Sequence, residues 1–188
     1  MAQPLRAPIH LLDYLAMDDT SELRHEYIGG QVVAMTGGTM RHNRIALNLA
    51  RLLSDRLEGT PCQVFINDMK LHVQAADSVY YPDVFVHCGS AVAAGAKVVQ
   101  DAALVVEVSS DSTGGIDRRE KLVAYTKLAG LRAYWIVSQD EQRIEVHERD
   151  ATGAQRALAY TAGEALPSGW LGGEAITMAR IYAGTDLA

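Results

Sequence analysis

Apolar positions along the chain recur with two different spacings. Ile45, Leu49, Leu52 and Leu53 share one face at helical spacing, which predicts an amphipathic helix that ends near the Gly-Thr-Pro of residues 59–61. Elsewhere, short apolar runs are bounded by turn residues, as β-strands are. The mixture predicts an α/β fold with a mixed sheet. Further helices are predicted at 9–17, 116–129 and 178–182, and strands on both sides of Gly29-Gly30 and at 62–67, 69–73, 80–87, 102–109, 134–137 and 143–148.

Length and composition predict one domain with a sizeable core. The chain has 188 residues, of which 48% are hydrophobic, and it shows no repeat or linker. We therefore expect residues 1–188 to form a single domain whose core spans about 22–150. The formal net charge of −6 argues against broad, non-specific coating of DNA, although it is compatible with a local basic strip.

The two cysteines give little sign of a metal site or of a fold stabilised by disulfides. Cys62 and Cys88 are predicted to be reduced, because small disulfide-rich folds usually carry more cysteines. No Cys/His cluster suggests zinc.

No stretch approaches the roughly 20 apolar residues of a membrane span, and the first residues lack the pattern of a secretory signal. We expect a cytoplasmic protein with no membrane partner.

Two carboxylates stand inside apolar runs. Asp83 lies in YYPDVFV and Glu107 in VVEVS. Burying an unpaired charge costs several kcal/mol, so an acid in such a run needs a reason. If the two strands are neighbours, the paired oxygens form a site suited to Mg²⁺ or Mn²⁺. For either acid alone, a bond to backbone amides or to an arginine is an equally good explanation.

A helix predicted just after Glu107 carries a candidate lysine. Asp117, Lys121 and Tyr125 lie at i, i+4 and i+8, on one helical face. A loop and helix of this length can bring Lys121 over the carboxylates, where a lysine can orient a metal-bound water or offset charge on a phosphate. The alternative is a surface ion pair between Asp117 and Lys121. Lys70 is a second candidate, ranked below Lys121.

Four ordered strings of the sequence resemble a known family: RHEYIGGQVVAMTGGTMRHNRIALNLARLL, YYPDVFV, LVVEVSSDST and DRREKLVAYTKLAGLRAYWIV. They are similar to the Uma family of bacterial restriction-endonuclease-like proteins, a domain of unknown function within the PD-(D/E)xK nuclease superfamily. The resemblance implies a restriction-endonuclease-like core with a central mixed sheet and flanking helices. It also implies metal ligation by Asp83 and Glu107, with Glu26 as a third or water-mediated contact and Lys121 as the catalytic lysine.

The chain departs from the wider superfamily at one position. The superfamily pattern has a lysine two residues after the second acid, where this chain has Ser109; the family lysine on the following helix matches Lys121. The loop EVSSDST also differs from the EVLSPST of its relatives, which affects the expected loop shape but not the acids. His42, Arg41, Asp117, Arg118 and Tyr125 are candidate substrate-binding residues. For His42, capping or packing at the start of the helix is the favoured alternative. A wider basic rim would comprise Arg41, Arg44, Arg51, Arg118, Arg119 and Lys127.

These observations support three hypotheses about function. The first is a Mg²⁺- or Mn²⁺-dependent endonuclease that hydrolyses phosphodiester bonds of DNA. Because cutting both strands needs two sites, it would be a homodimer, with the Gly29-Gly30 hairpin or the C-terminal part at the interface. The second is a non-catalytic module for nucleic-acid binding or protein interaction, favoured by the acidic net charge. The third, a nuclease for RNA or structured DNA, is not separable from the first by sequence.

Overall fold

The computed structural model describes residues 7–35, 37–109, 115, 117–149, 152–167 and 169–188. Its elements mix helices and strands, which confirms the predicted α/β class. The helices are α1 (Leu11–Asp18), α2 (Met40–Leu57), α3 (Leu122–Tyr125) and α4 (Met178–Ile181). The strands are β1 (His25–Ile28), β2 (Gln31–Ala34), β3 (Cys62–Ile66), β4 (Lys70–Val73), β5 (Ser78–Tyr80), β6 (Val84–Cys88), β7 (Val98–Val99), β8 (Leu104–Ser109), β9 (Ala133–Ser138), β10 (Arg143–Arg149), β11 (Gln155–Thr161), β12 (Ala165–Leu166) and β13 (Ile176–Thr177).

The larger sheet has six strands in the order β11-β10-β9-β8-β6-β3, and only β8 and β9 within it are parallel. All six residues of β8 are buried, as its apolar run predicts for a strand covered on both faces. Alternation along β8 sends Val106 into one hydrophobic cluster with α2, and Val105 into a second cluster with Tyr125. Glu107 therefore shares the face of Val105.

The smaller sheet has five strands in the order β2-β1-β5-β4-β7. Strands β1 and β2 form the predicted hairpin, whose turn residues Gly29 and Gly30 have φ of 52° and 89°. Positive φ is accessible to glycine because it has no Cβ. Helix α1 covers β1, where Tyr14 stacks on Tyr27 with the ring centroids 5.2 Å apart. This sheet places Glu26, on β1, beside the larger sheet.

Two predicted elements are shorter than the sequence pattern indicates. The strand predicted at 80–87 is interrupted between β5 and β6, because Pro82 has no N–H for the ladder and the side chain of Asp83 takes the N–H of Val108 instead. The helix predicted at 116–129 consists of a wide π-helical turn at Asp117–Lys121 followed by α3, which ends at Tyr125. Both interruptions lie where candidate site residues are located.

The prediction that the cysteines are reduced was wrong. Cys62 and Cys88 face each other across the antiparallel β3–β6 pair, with Cα atoms 4.0 Å apart, and form a disulfide. Cross-strand register brings them together, and a count of cysteines carries no information on register. Within the described ranges, no helix combines the length and apolarity that crossing a membrane requires.

Candidate active site

A cleft of about 910 Å³ opens where the two sheets meet. Its lining includes Glu26 from β1, Asp83 from the segment before β6, Glu107 from β8 and Lys121 from the π-helical turn. The four polar residues at the centre of the sequence-based hypothesis are thus brought to one place from four segments of the chain.

Lys121 bridges two of the three carboxylates. Its Nζ lies 3.1 Å from Oε1 of Glu26 and 3.0 Å from Oε1 of Glu107, and 5.5 Å from the ring centroid of Tyr80. The side chains of Lys121 and Glu107 are only 10% and 7% exposed, so water screens this contact weakly. The ammonium therefore offsets the repulsion between the buried Glu107 and the partly buried Glu26 and fixes their separation.

Tyr125 supports Glu107 from behind the cleft. Its hydroxyl donates to Oε1 of Glu107 at 2.7 Å, and the residue is fully buried. Burial, reinforced by the negative charge of Glu107, raises the pKa of Tyr125 well above its usual range, so the hydroxyl stays protonated and donates. The predicted contact between Tyr125 and substrate is corrected accordingly, because a fully buried side chain cannot reach a ligand in the cleft.

Asp83 is held through one oxygen. Its Oδ2 accepts a 2.7 Å hydrogen bond from the N–H of Val108, and Nε2 of His42 lies 3.2 Å from the same oxygen. His42 is in the first turn of α2, where the N-cap residue Thr39 accepts from its backbone N–H at 3.1 Å. His42 is therefore a cleft residue whose side chain contacts a candidate metal ligand, and its backbone closes the helix cap.

The carboxylates suit a hard cation by their donor chemistry. Oδ1 of Asp83 and Oε2 of Glu26 make no hydrogen bond or ion pair with any described residue, whereas their partner oxygens are engaged. Carboxylate oxygens on a cleft wall are the ligands that Mg²⁺ and Mn²⁺ prefer. Across the described ranges, however, no three Asp, Glu, His or Cys side chains already converge around one ion position. A metal ion would draw Asp83 and Glu107 or Glu26 together on binding.

The rival lysine belongs to another cluster. Nζ of Lys70 lies 3.1 Å from Oδ2 of Asp18 and 2.8 Å from Oδ1 of Asp19, and Asp18 also accepts a short hydrogen bond from the hydroxyl of Tyr81. Lys70 does not line the cleft. It ties α1 to β4 and to the segment that leads to Asp83, which makes Lys121 the lysine of the candidate active site.

The predicted basic rim is only partly at the cleft. Arg41 lines it, whereas the side chains of Asp117 and Arg118 lie outside the described part of the chain. The remaining members of the predicted rim are exposed and are not among the described lining residues: Arg44, Arg51, Arg119 and Lys127.

Sequence reasoning missed several cleft residues. Gln139 and Asp140 follow β9, and Asp186 comes from the segment after α4. Gln139 and Asp140 could have been found from the parallel pairing of β8 and β9, because the carboxyl ends of parallel strands meet at one edge of a sheet. Nothing in the local sequence around Asp186 signals that it reaches the cleft.

Comparison with known proteins gives the chain its family. The uncharacterized proteins slr1290 and sll1609 of Synechocystis sp. are 30% and 28% identical over 154 and 144 residues, or 82% and 73% of this chain and 81% and 78% of their own. A crystal structure described as a putative nuclease belonging to DUF820, from Anabaena variabilis, has the same fold, with a TM-score of 0.77 at 16% identity over 93% of this chain and 98% of its own. The sequence model of the Uma2 family, described as "Putative restriction endonuclease", matches residues 11–177, so the chain belongs to the Uma2 family.

Proposed function

We propose that this protein is a metal-dependent nuclease that hydrolyses phosphodiester bonds, with DNA as its substrate. The observation that carries the proposal is the convergence of Asp83, Glu107 and Lys121 on one cleft, in a chain of the Uma2 family and with a nuclease-like fold. Acids from a strand and from the segment leading into its neighbour, beside a buried lysine, are a combination suited to phosphoryl chemistry. A purely structural cluster would not require an open cleft of this size.

Asp83 and Glu107, with Glu26, are the residues that would hold Mg²⁺ or Mn²⁺. Such an ion supplies Lewis acidity and lowers the pKa of bound water. The chain itself supplies orientation: Val108 and His42 fix Asp83, while Tyr125 and Lys121 fix Glu107. The ammonium of Lys121 faces the cleft and can donate to a water molecule or to a phosphate oxygen on which charge develops.

The proposed assembly is a homodimer. The described residues form one cleft with the candidate acids, and cleavage of both strands of a duplex requires two such clefts. A symmetric pair of chains supplies them without a second domain.

One observation favours a non-catalytic role instead. The described lining of the cleft carries five carboxylates and two permanently charged cations, Lys121 and Arg41. Such a surface repels a polyanion in the absence of metal. If the ion is never bound, the same fold would serve as a protein-interaction module.

Cleavage assays on several nucleic acids distinguish these functions. Supercoiled plasmid, linear duplex, single-stranded DNA and RNA are incubated with the protein and Mg²⁺, Mn²⁺ or EDTA. We expect metal-dependent cleavage of DNA by the wild type, lost in Asp83→Asn and Glu107→Gln. The exposed acid Glu141, which lies outside the cleft lining, provides the matched control Glu141→Gln, which retains activity. Absence of cleavage of every nucleic acid tested would favour the non-catalytic module. Cleavage of RNA alone would show that the substrate is RNA and not DNA.

A further inference from the structure

The guanidinium of Arg41 is occupied by a carboxylate of its own chain. Nε of Arg41 donates to Oδ1 of Asp186 at 2.7 Å, and Nη2 donates to Oδ2 at 2.6 Å. Nη1 donates to the carbonyl of Gln139 at 2.9 Å, and Asp140 lies 3.7 Å away. The two parallel bonds to Asp186 form the bidentate arrangement in which arginine also binds phosphate.

Asp186 is presented to Arg41 by an ordered segment. The side chain of Asn48 donates to the carbonyl of Ala183 at 2.8 Å, and the side chain of Gln142 donates to the carbonyl of Leu187. The N–H of Leu187 donates to Oγ1 of Thr185 at 3.2 Å. These contacts attach the segment to α2 and to the β9–β10 turn. The fold itself therefore places the carboxylate of Asp186 at the cleft.

The charge distribution makes Arg41 the cation that an entering phosphate would need. Lys121 is shared by Glu26 and Glu107, which are both candidate metal ligands. Of the two permanent cations in the described lining, Arg41 is therefore the one placed away from those acids and nearer to the solvent.

From this geometry we infer that Asp186 is a built-in competitor for the phosphate backbone of the substrate. Its carboxylate takes the place of a phosphodiester group beside the scissile one, and binding of nucleic acid exchanges it for that group. Exchange is feasible because the side chain of Asp186 is 67% exposed, so a phosphate group can reach the pair from solvent and offer Arg41 the same bidentate geometry. The inference rests on the proposed function, since it takes a nucleic acid as the ligand. Asp186 lies beyond residues 11–177, which the family model matches.

Binding of a fluorescein-labelled DNA duplex, measured by anisotropy in EDTA over a series of salt concentrations, tests the inference without catalysis. Asp186→Asn is expected to bind about threefold or more tightly than the wild type. Because both proteins place Arg41 on one phosphate in the complex, the slope of log K against log salt should change by less than the roughly 0.9 of a whole additional phosphate contact. Glu141→Gln removes the same charge nearby without touching Arg41, and should change affinity less than twofold, within the weak effect of an exposed charge. Thermal melting of each variant verifies folding.

The single variant Arg41→Gln and the double variant with Asp186→Asn complete a double-mutant cycle of duplex affinities. If Asp186 acts through Arg41, its substitution has almost no effect in the Arg41→Gln background. The inference is overturned if Asp186→Asn and Glu141→Gln act equally, if the Asp186 effect persists without Arg41, or if Asp186→Asn fails to bind the duplex more tightly. Cleavage assays separate this result from the proposed function: metal-dependent cleavage by the wild type with no gain in duplex affinity in Asp186→Asn overturns the competitor alone, whereas tighter binding by Asp186→Asn without cleavage by any variant overturns the nuclease alone.

Discussion

The hydroxyl of Tyr125 lies 2.7 Å from Oε1 of Glu107 and donates a hydrogen bond to it inside the protein. Tyr125→Phe removes this donor while keeping the ring. A hydrogen bond to a charged acceptor contributes about 1.5–3 kcal/mol, so we expect a loss of stability of that order and a fall in cleavage rate of about tenfold as Glu107 loses its orientation. Urea unfolding and single-turnover cleavage measure the two effects.

Tyr182→Phe is the matched control for this variant. Tyr182 is also fully buried, and its hydroxyl donates to the carbonyl of Ser138 at 2.9 Å, away from Glu107. We expect it to lose stability without losing metal-dependent activity. Equal losses of activity in both variants would show that Tyr125 acts only through the stability of the fold.

Gly38 controls the position of His42. A Cβ at Gly38 would come within 2.7 Å of Nδ1 of His42, closer than such atoms pack, although its backbone has no positive φ that would exclude alanine. Gly38→Ala should therefore turn the imidazole away and break the 3.2 Å contact with Asp83. We expect cleavage to fall by about threefold or more with little change in melting temperature, since side-chain rearrangement at such a partly exposed contact costs under about 1 kcal/mol.

Gly37→Ala serves as its control, because a Cβ there meets no atom within 4 Å. Imidazole NMR spectra of both variants report the environment of His42 directly. An unchanged His42 resonance in Gly38→Ala, or an equal shift in Gly37→Ala, would contradict the prediction.

The sequence predicted the acids because their surroundings made them conspicuous. Asp83 and Glu107 stand in apolar strands where an acid requires a partner, and the residues that follow Glu107 point to Lys121. The partner that each of these side chains contacts was not predictable, because it depends on how the strands and helices pack against one another. Tyr125 was placed on the correct helical face, yet its hydroxyl points inward to Glu107 rather than into the cleft.

Contacts between distant segments account for the errors. The disulfide between Cys62 and Cys88 follows from the register of β3 and β6, and the pair of Asp186 with Arg41 spans 145 positions. Local hydrophobic periodicity carries no information on either contact. The same limit applies to Lys70, whose partners Asp18 and Asp19 lie at the end of α1 and directly after it, more than 50 positions away.

Lys121 offsets the charge of Glu26 and Glu107, which changes the expected behaviour of the metal-free protein. Two acids without a counter-ion would repel each other, and removing one would then stabilise the protein. With Lys121 between them, Lys121→Met should instead destabilise the metal-free protein by about 3–5 kcal/mol, because Glu26 and Glu107 lose their common partner. Mg²⁺ should then raise its melting temperature by more than that of the wild type, while cleavage is lost.

Lys127→Met controls for loss of a lysine, since Lys127 is exposed just after α3. Its stability should match the wild type within about 0.5 kcal/mol. Calorimetric melting in EDTA and in millimolar Mg²⁺ gives both comparisons. If Lys121→Met melts at the wild-type temperature in EDTA, Lys121 does not offset the charge of these acids. If Mg²⁺ does not change the melting of any variant, the metal linkage proposed for this site is wrong.

Asp18 provides a test by pH of the cluster that holds α1. Burial alone would raise the pKa of Asp18, but hydrogen bonds from Tyr81 and Lys70 outweigh it and the net shift is downward. A lowered pKa stabilises the fold above the ordinary carboxyl value of about 3.9, and this contribution is lost as pH falls through the lower folded value. Asp18→Asn should therefore destabilise the protein at neutral pH by about 1.5–3 kcal/mol, because Lys70 loses one charged partner and keeps Asp19. The difference from the wild type should narrow below about pH 4, as measured by urea unfolding at a series of pH values.

Asp13→Asn, which changes an exposed acid on the same helix, should show neither the loss of stability nor its dependence on pH. A constant difference between Asp18→Asn and wild type across this pH range would mean that the ionised form of Asp18 is not what secures α1.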